Sequence, residues 1–159
     1  MTANAKSSRP FMPGYGIAPE NEGAGLLPWP FVEERMEKSR NYWVSSVTLG
    51  KQPHVAPVWG LWHAGAFYFS TGAESQKGRN FAANPAATVH LESGDEAVIL
   101  EGEVEAVKDQ DLLKALDKSY EKKYGMGMQG PGLIFHLKLQ RAFAWREADF
   151  PNSATRWVF

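Results

Sequence analysis

Residues 41–71, NYWVSSVTLGKQPHVAPVWGLWHAGAFYFST, contain three apolar segments separated by two short polar connections. The segments at 41–49, 54–62 and 66–71 are rich in aromatic and β-branched residues, which favour strands. The connections GKQP and HAG are short enough for hairpins. The pattern therefore predicts an antiparallel meander of three strands. Because proline cannot donate to a strand ladder, Pro57 predicts an edge or a bulge in the second strand.

The segments on either side of this meander extend the same pattern. We predict helices at 30–40, 75–84 and 109–125, and further strands at 86–93, 96–108, 133–139 and 141–146. In strand 96–108, Val98, Leu100, Val104 and Ala106 are expected to face the core, and Gly102 on that face indicates a bend or a close approach. About six strands that do not alternate with helices exclude a parallel βαβ architecture. The sequence predicts a mainly β protein with short helices, built as a small closed or partly split barrel.

The chain is expected to contain one globular domain preceded by an arm. Its 159 residues suit a single domain with a sizeable core. Residues 1–30 are rich in proline and show little periodicity, so they are predicted to form an extended arm, with the domain at 31–159.

Composition excludes several classes of function. A net charge of −1 argues against nucleic acid or anionic membranes as partners. The absence of cysteine removes disulfides, thiolate metal sites and cysteine nucleophiles. The four histidines show no metal-ligand spacing, so no metal site is expected. No apolar stretch is long enough to span a membrane and the N-terminus does not resemble a secretory signal, so a cytoplasmic location is predicted.

The segment STGAESQKGRNFAANP, residues 70–85, concentrates polar and basic residues where a strand gives way to a helix. Ser75 is predicted to be the N-cap, and the helix should end before Pro85. A helix N-terminus carrying Lys77 and Arg79 suits a phosphate group. Two residues on a helix separated by one position point to nearly opposite faces, however. From these residues alone, a phosphate site and a solvated surface turn both stay open.

Several segments together resemble a known family. PHVAPVWG, FYFST, SQKGRNFAANP and VILEGEVEAV, in this order, are similar to the pyridoxamine 5′-phosphate oxidase-like family of flavin- and deazaflavin-dependent proteins. The resemblance covers about residues 30–159 and leaves the arm outside. It implies a six-stranded split β-barrel of the FMN-binding type. It also implies a homodimer that binds its cofactor, FMN or coenzyme F-420, at the subunit interface.

The resemblance also implies roles for individual residues. The cofactor phosphate would be held by Ser75, Lys77, Arg79 and Asn80. The ring would lie along the second strand, at Ala56, Pro57, Val58 and Trp59. The cofactor tail would contact Ser70 and Thr71. From the second subunit, the cofactor or substrate would be contacted by Trp145 and Arg156.

The implied activity is an oxidoreductase that transfers a hydride between the bound cofactor and a small flat organic substrate. His54 and Arg156 are the candidates for polarising that substrate. The oxidase proper carries basic residues where this chain has His54 and Trp59, so oxidation of pyridoxamine phosphate itself is not expected. The alternative is a flavin- or haem-binding carrier of the same fold without turnover. We also expect the arm, with Tyr15 and Trp29, to roof the pocket.

Overall fold

Strands make up most of the regular structure, and every strand pairing among the described residues is antiparallel. The computed structural model describes residues 5–20, 22–128 and 132–159. The strands are β1 (Lys6–Ser8), β2 (Asn41–Val47), β3 (Pro53–His63), β4 (Ala66–Gly72), β5 (Ala86–His90), β6 (Glu96–Ala106), β7 (Gly132–Arg146) and β8 (Thr155–Val158). The helices are α1 (Trp29–Lys38), α2 (Gln76–Ala83), α3 (Gln110–Tyr124) and α4 (Phe150–Ser153), the last following a 3-10 turn at Glu147–Asp149.

Six of the strands close into a barrel. The order is β7-β4-β3-β2-β5-β6, and β6 pairs back with β7. β8 pairs with β7 outside this closed set, and β1 pairs with β8. The closed six-stranded antiparallel barrel confirms the predicted fold class.

Alternation along the strands separates the barrel interior from its outer face. Val44, Val89, Leu100 and Ala142 are register partners across four neighbouring strands, and each is 0% exposed. Because directly paired residues share a face of the sheet, this row lines the interior. The neighbouring positions on each strand point outward and are partly exposed.

The C-terminal strands differ from the prediction. The segments predicted as separate strands at 133–139 and 141–146 are one continuous β7, and Gln140 is the residue skipped where the β6–β7 register shifts. A bulge at this point bends the strand around the barrel without ending it. Gly102 lies opposite, and a Cβ there would be 2.0 Å from the Lys138 carbonyl oxygen. The predicted close approach at Gly102 is therefore confirmed, and Ala106 shares the inward face with its buried partner Phe135, although Ala106 itself is exposed at the end of the strand.

The helices begin and end close to the predicted positions. The Ser75 hydroxyl caps α2 by accepting the Gly78 N–H at 3.0 Å, and the helix ends at Asn84 before Pro85. Asp109 caps α3, and Gly125 ends it in the left-handed conformation with φ 78°. No helix in the described residues is both long and apolar enough to cross a bilayer.

The N-terminal arm is docked on the barrel. Lys6–Ser8 pairs with Arg156–Val158 in register. Arg9 is only 1% exposed, and its guanidinium donates to backbone carbonyls of both the arm and the segment around α4. The division into an arm at 1–30 and a domain at 31–159 stays a prediction, and residues 1–4 lie outside the described part.

Candidate functional site

The barrel opens where β3 and β4 separate. Their ladder ends at the pair Gly60 and Phe69, whereas β3 continues back to Pro53 paired only with β2. The segment Pro53–Trp59, which we call the open edge, therefore has backbone N–H and C=O groups with no strand beside them in the described residues. Pro57 lies within it. The prediction that Pro57 marks an edge is confirmed, since a proline is tolerated where one side of a strand is unpaired.

Helix α2 bridges this opening, which we call the split. At its start, the Thr71 hydroxyl on β4 lies 2.9 Å from the Ser75 hydroxyl. Further along, the Asn80 amide nitrogen donates to the Ser46 hydroxyl on β2 at 2.9 Å. The helix is thus fixed to the strands on both sides of β3, and its N-terminal turn lies at the mouth of the split.

Lys77 in this first turn is half-buried. No described residue forms a salt bridge or hydrogen bond with its ammonium group. Burial lowers the pKa of Lys77, because partial desolvation disfavours the charged form. A half-buried ammonium without a carboxylate is compensated well by a bound anion. Lys77 therefore fits the phosphate of a cofactor.

Arg79 remains near the same turn. Its side chain is exposed, and its guanidinium donates to the Glu74 carbonyl and, at 3.0 Å, to the Gln76 amide oxygen. The side chain thus folds back toward the start of α2, on which Lys77 also lies. A spacing of two residues predicts that Lys77 and Arg79 point to nearly opposite faces of the helix. Because the Arg79 side chain folds back, its guanidinium nevertheless lies near the start of the helix.

Asn80 is fully engaged with protein groups. It is 2% exposed, its nitrogen donates to Ser46, and its oxygen accepts from the Gln76 amide at 2.8 Å. In this arrangement it holds α2 against β2, and its contact with phosphate stays a prediction. Ser46 was not singled out from the sequence, although a serine at an inward position of an apolar strand is a detectable signal.

The open edge offers mainly backbone to a ligand. The Trp59 ring stacks on Tyr124 with centroids 4.7 Å apart and planes at 7°, and the Arg40 guanidinium lies 5.0 Å from it. Trp59 is therefore packed toward α3. His54 is the register partner of Ser46 and shares its face. The His54 Nδ1 atom is buried and has no hydrogen-bond partner among the residues that the structure describes. This orphaned atom is a polar group that a ligand or water at the split can satisfy.

Most of the residues assigned to the cofactor lie around the split. These are Ala56, Pro57, Val58 and Trp59 on β3, Ser70 and Thr71 on β4 beyond the end of the ladder, and Ser75, Lys77, Arg79 and Asn80 on or before α2. The roles of these residues stay predictions, but their grouping at one opening fits a flat ligand with a phosphate.

Trp145 and Arg156 lie away from the split within one chain. They belong to the outer face, where Pro57, Trp43, His90, Ile99, Phe143, Arg156 and Ser8 are successive register partners that we call the outer row. Arg156 donates to the Ser8 hydroxyl at 3.0 Å and to the Glu20 carboxylate. The contact with Glu20 was missed from the sequence, since the two residues are far apart along the chain.

The comparison with protein families identifies the family of the chain. A sequence model described as pyridoxamine 5′-phosphate oxidase matches residues 29–146, which include the open edge and α2. The chain belongs to the pyridoxamine 5′-phosphate oxidase family. The resemblance inferred from its motifs is thereby confirmed. None of the curated protein sequences matches the chain.

Solved structures of this family's fold superpose on the chain at low sequence identity. A conserved hypothetical protein, Rv2991, from Mycobacterium tuberculosis is 20% identical over 79% of this chain and 88% of its own, with a TM-score of 0.70. A heme binding protein from Mycobacterium smegmatis is 19% identical over 74% of this chain but only 54% of its own, with a TM-score of 0.58. An F420 reductase is 21% identical over 69% of this chain and 94% of its own, with a TM-score of 0.55. At these identities the likeness extends to the fold alone.

Proposed function

We propose that this chain is a homodimeric oxidoreductase that binds FMN or the deazaflavin F-420 in the split and transfers a hydride to or from a small flat substrate. The observation that carries the proposal is the half-buried ammonium of Lys77, which has no partner among the described residues and lies on the helix that spans from β4 to β2 across the open edge of β3. A cation and a row of free backbone groups side by side match a ligand that joins a phosphate to a planar ring.

The roles of the surrounding residues follow from their contacts. Lys77 binds the phosphate, with the first-turn N–H groups of α2 and the guanidinium of Arg79 adding donors. Asn80 positions the helix through Ser46. Backbone groups of 56–58 bond the ring edge. When bound, the cofactor supplies the hydride chemistry, and the protein supplies its orientation and shielding from water. Both cofactors present a phosphate and a flat tricycle, so these residues fit either.

A second copy of the chain covers the outer face in this proposal. The outer face of a barrel is normally polar, but here Trp43, Ile99 and Phe143 make the outer row mainly apolar around His90, and Val55 nearby is 51% exposed. Contiguous apolar surface of this kind is typical of protein interfaces. Pairing of two such faces brings Trp145 and Arg156 toward the partner subunit.

The second candidate is a carrier that binds flavin or haem without turnover. It is favoured by the scarcity of acid–base groups, since His54 is the only imidazole at the split in the part of the chain that the structure describes. It is also favoured by the fold shared with the heme binding protein.

Identification of the released cofactor tests the proposal directly. The protein is purified natively from a host that makes F-420 and from one that does not, and the ligand is released and identified by mass spectrometry. We expect FMN or F-420 in stoichiometric amount. Reduction by NAD(P)H or reduced F-420, with a quinone or enone as acceptor, then separates an oxidoreductase from a carrier. Haem as the ligand, or no turnover with any acceptor, would favour the carrier.

Replacement of the unpaired lysine tests the phosphate assignment. Lys77→Ala should weaken cofactor binding by about 1.5–3 kcal/mol, roughly 10- to 150-fold, the range for hydrogen bonds to charged groups. Lys118→Ala, an exposed lysine on α3, is the matched control and should leave the dissociation constant unchanged. Isothermal titration with FMN and with F-420 provides the measurement. Equal affinities of the two variants would remove Lys77 from the site.

A further inference from the structure

A loop of the N-terminal arm has a fixed base. We call residues 10–19 the arm loop. Its ends are joined by the Arg9 N–H, which donates to the Glu20 carbonyl at 3.2 Å. The buried Arg9 guanidinium also donates to the carbonyls of Glu22 and Ala24. A buried cation bonded to several carbonyls holds the loop ends in one arrangement.

The arm loop itself is apolar and unusually exposed. Phe11 is 87% exposed and Tyr15 66% exposed. The two limbs of the loop enclose a cavity of about 320 Å³, lined by Pro10–Pro13 and Ile17–Glu20. That volume lies in the range of small-molecule sites, which are mostly lined by apolar and aromatic groups. Exposed aromatic side chains on a fixed loop indicate a surface that contacts something else.

The base of the arm loop is attached to the end of the outer row. Ser8 is the last member of that row, and the Arg156 guanidinium bonds both the Ser8 hydroxyl and the Glu20 carboxylate. The row crosses the strands in the order β3, β2, β5, β6, β7, β8 and β1. It therefore connects the open edge, through Pro57, to the base of the arm loop.

Symmetry relates the two ends of this row in a dimer. From Pro57 on β3 to Phe143 on β7 the outer row is apolar except for His90, which lies on β5 at its centre. A two-fold axis through that centre brings β7 of one subunit to the flank of the dimer on which the partner's β3 lies. Beyond β7 the same subunit continues with β8 and β1, which therefore extend past the partner's β3. That is the side of β3 from which β4 has separated.

We propose that the arm loop of each subunit forms a wall over the partner subunit's split and contacts the substrate there through Phe11 and Tyr15. This inference rests on the homodimer of the proposed function and adds a specificity-determining element to it. The wall favours a neutral, flat, conjugated substrate such as a quinone or enone, because the loop lining is apolar apart from Glu20. The Glu20 carboxylate is paired with Arg156, and the residues lining the loop include no lysine or arginine that could bind an anionic substrate.

Site-specific cross-linking tests the placement of the arm loop. Phe11 is replaced by the photoreactive p-benzoylphenylalanine, and ¹⁵N-labelled and unlabelled subunits are mixed and irradiated. We expect cross-linked peptides of mixed isotope that join residue 11 to 53–59 or to the first turn of α2. The same replacement at Met126, which is 56% exposed beyond the end of α3, should give no such product. Cross-links within one subunit alone, or a monomeric protein by sedimentation, would overturn the inference.

Binding measurements distinguish this inference from the proposed function. Phe11→Ala and Tyr15→Ala should each raise the KM for a neutral quinone several-fold and leave the cofactor dissociation constant unchanged. Lys77→Ala should have the opposite pattern: it should raise the cofactor dissociation constant and leave the KM for the quinone unchanged in the cofactor-saturated protein. If the protein binds no flavin but residue 11 still cross-links to the partner's open edge, the proposed activity fails and the placement of the arm loop stands. An unchanged KM in both arm variants would remove their role in substrate binding.

Discussion

Helices α2 and α3 each carry a half-buried lysine, and the two lysines have opposite surroundings. On α3, the Lys123 ammonium donates to the Tyr42 hydroxyl at 2.7 Å and to the Gly60 carbonyl at 3.3 Å. On α2, Lys77 has no partner among the described residues. Burial lowers the pKa of both lysines. The difference arises beneath the helices, because α3 covers the part of β3 where the ladder with β4 begins, whereas α2 covers the split.

This contrast separates a helix that closes the barrel from one that leaves a place for a ligand. The Tyr124 hydroxyl on α3 lies 2.7 Å from the Arg40 carbonyl oxygen and 2.8 Å from that of Gly60, and it accepts the Gly60 N–H at 3.1 Å. Every polar group named here on α3 is thus satisfied by the protein. Lys77 on α2, in contrast, makes no hydrogen bond or salt bridge within the part of the chain that the structure describes.

The largest effect on stability is expected from adding a side chain to Gly78, where α2 packs closely against the end of β4. A Cβ on Gly78 would lie 2.3 Å from the Gly72 carbonyl oxygen and 2.4 Å from that of Ala73, so Gly78→Ala must displace the first turn of α2. We expect a loss of about 3 kcal/mol in the free energy of unfolding, at the upper end for overpacking. Urea denaturation provides the measurement, and cofactor affinity should fall with it.

Gly72→Ala is the matched control for this change. Gly72 has an ordinary φ, and a Cβ added to it would meet no atom within 4 Å, so the variant should remain within about 0.5 kcal/mol of the parent. If both alanine variants unfold at the same urea concentration, α2 does not depend on its close approach to β4.

A smaller loss is expected on the closed side of the barrel. Tyr124→Phe removes the hydroxyl that bonds Gly60 and leaves the buried Gly60 N–H without its acceptor. The cost of such an unsatisfied group is about 1–3 kcal/mol. Tyr120→Phe, one turn earlier on the same helix, removes a hydroxyl that makes no hydrogen bond to a described residue and should change stability little. Thermal and urea unfolding of the two variants give the comparison, and equal losses would contradict the role assigned to Tyr124.

The sequence predicts the barrel and α2 well because their signals are local. Apolar alternation in β6, the Ser75 cap and the proline after Asn84 each act within a few residues. The family motifs then identify the residues around the split, since they lie on consecutive elements. Pro57 is informative for the same reason, because it reports an unpaired edge from its own chemistry.

The remaining features depend on contacts between distant parts of the chain. β1 and β8 have 3 and 4 residues, too few for a periodic signal. β1 is formed by pairing with β8, and β8 by pairing with both β1 and β7. The partners of Asn80 and Arg156, namely Ser46 and Glu20, are likewise brought together only by folding. The bulge at Gln140 imitates a strand boundary in sequence, which is why β7 was predicted as two strands.

The smallest effect is expected in the pH dependence of the free energy of unfolding, to which Lys123 on α3 contributes. Burial lowers the pKa of Lys123 to about 8 in the folded protein, whereas an unfolded lysine titrates near 10.5. Between these values the unfolded chain binds more protons than the folded one, so the free energy of unfolding rises with pH. Below pH 8 both states are protonated, so Lys123 no longer makes the free energy of unfolding depend on pH, and the destabilisation by its buried charge is fully present. Lys123→Met lacks the titrating group, so its stability should rise less than that of the parent from pH 7.5 to 9.5.

The difference should be at most about 1 kcal/mol across this window, because solvent screens a half-exposed ammonium. The window ends below pH 10 because burial raises the pKa of Tyr42 and Tyr124, and buried tyrosines lower stability once unfolded tyrosines ionise. Lys77 titrates equally in both proteins and cancels in the comparison. Lys118→Met should retain the slope of the parent. If Lys123→Met retains it as well, the Lys123 ammonium is solvated in the folded protein, and its surroundings no longer differ from those of an ordinary surface lysine.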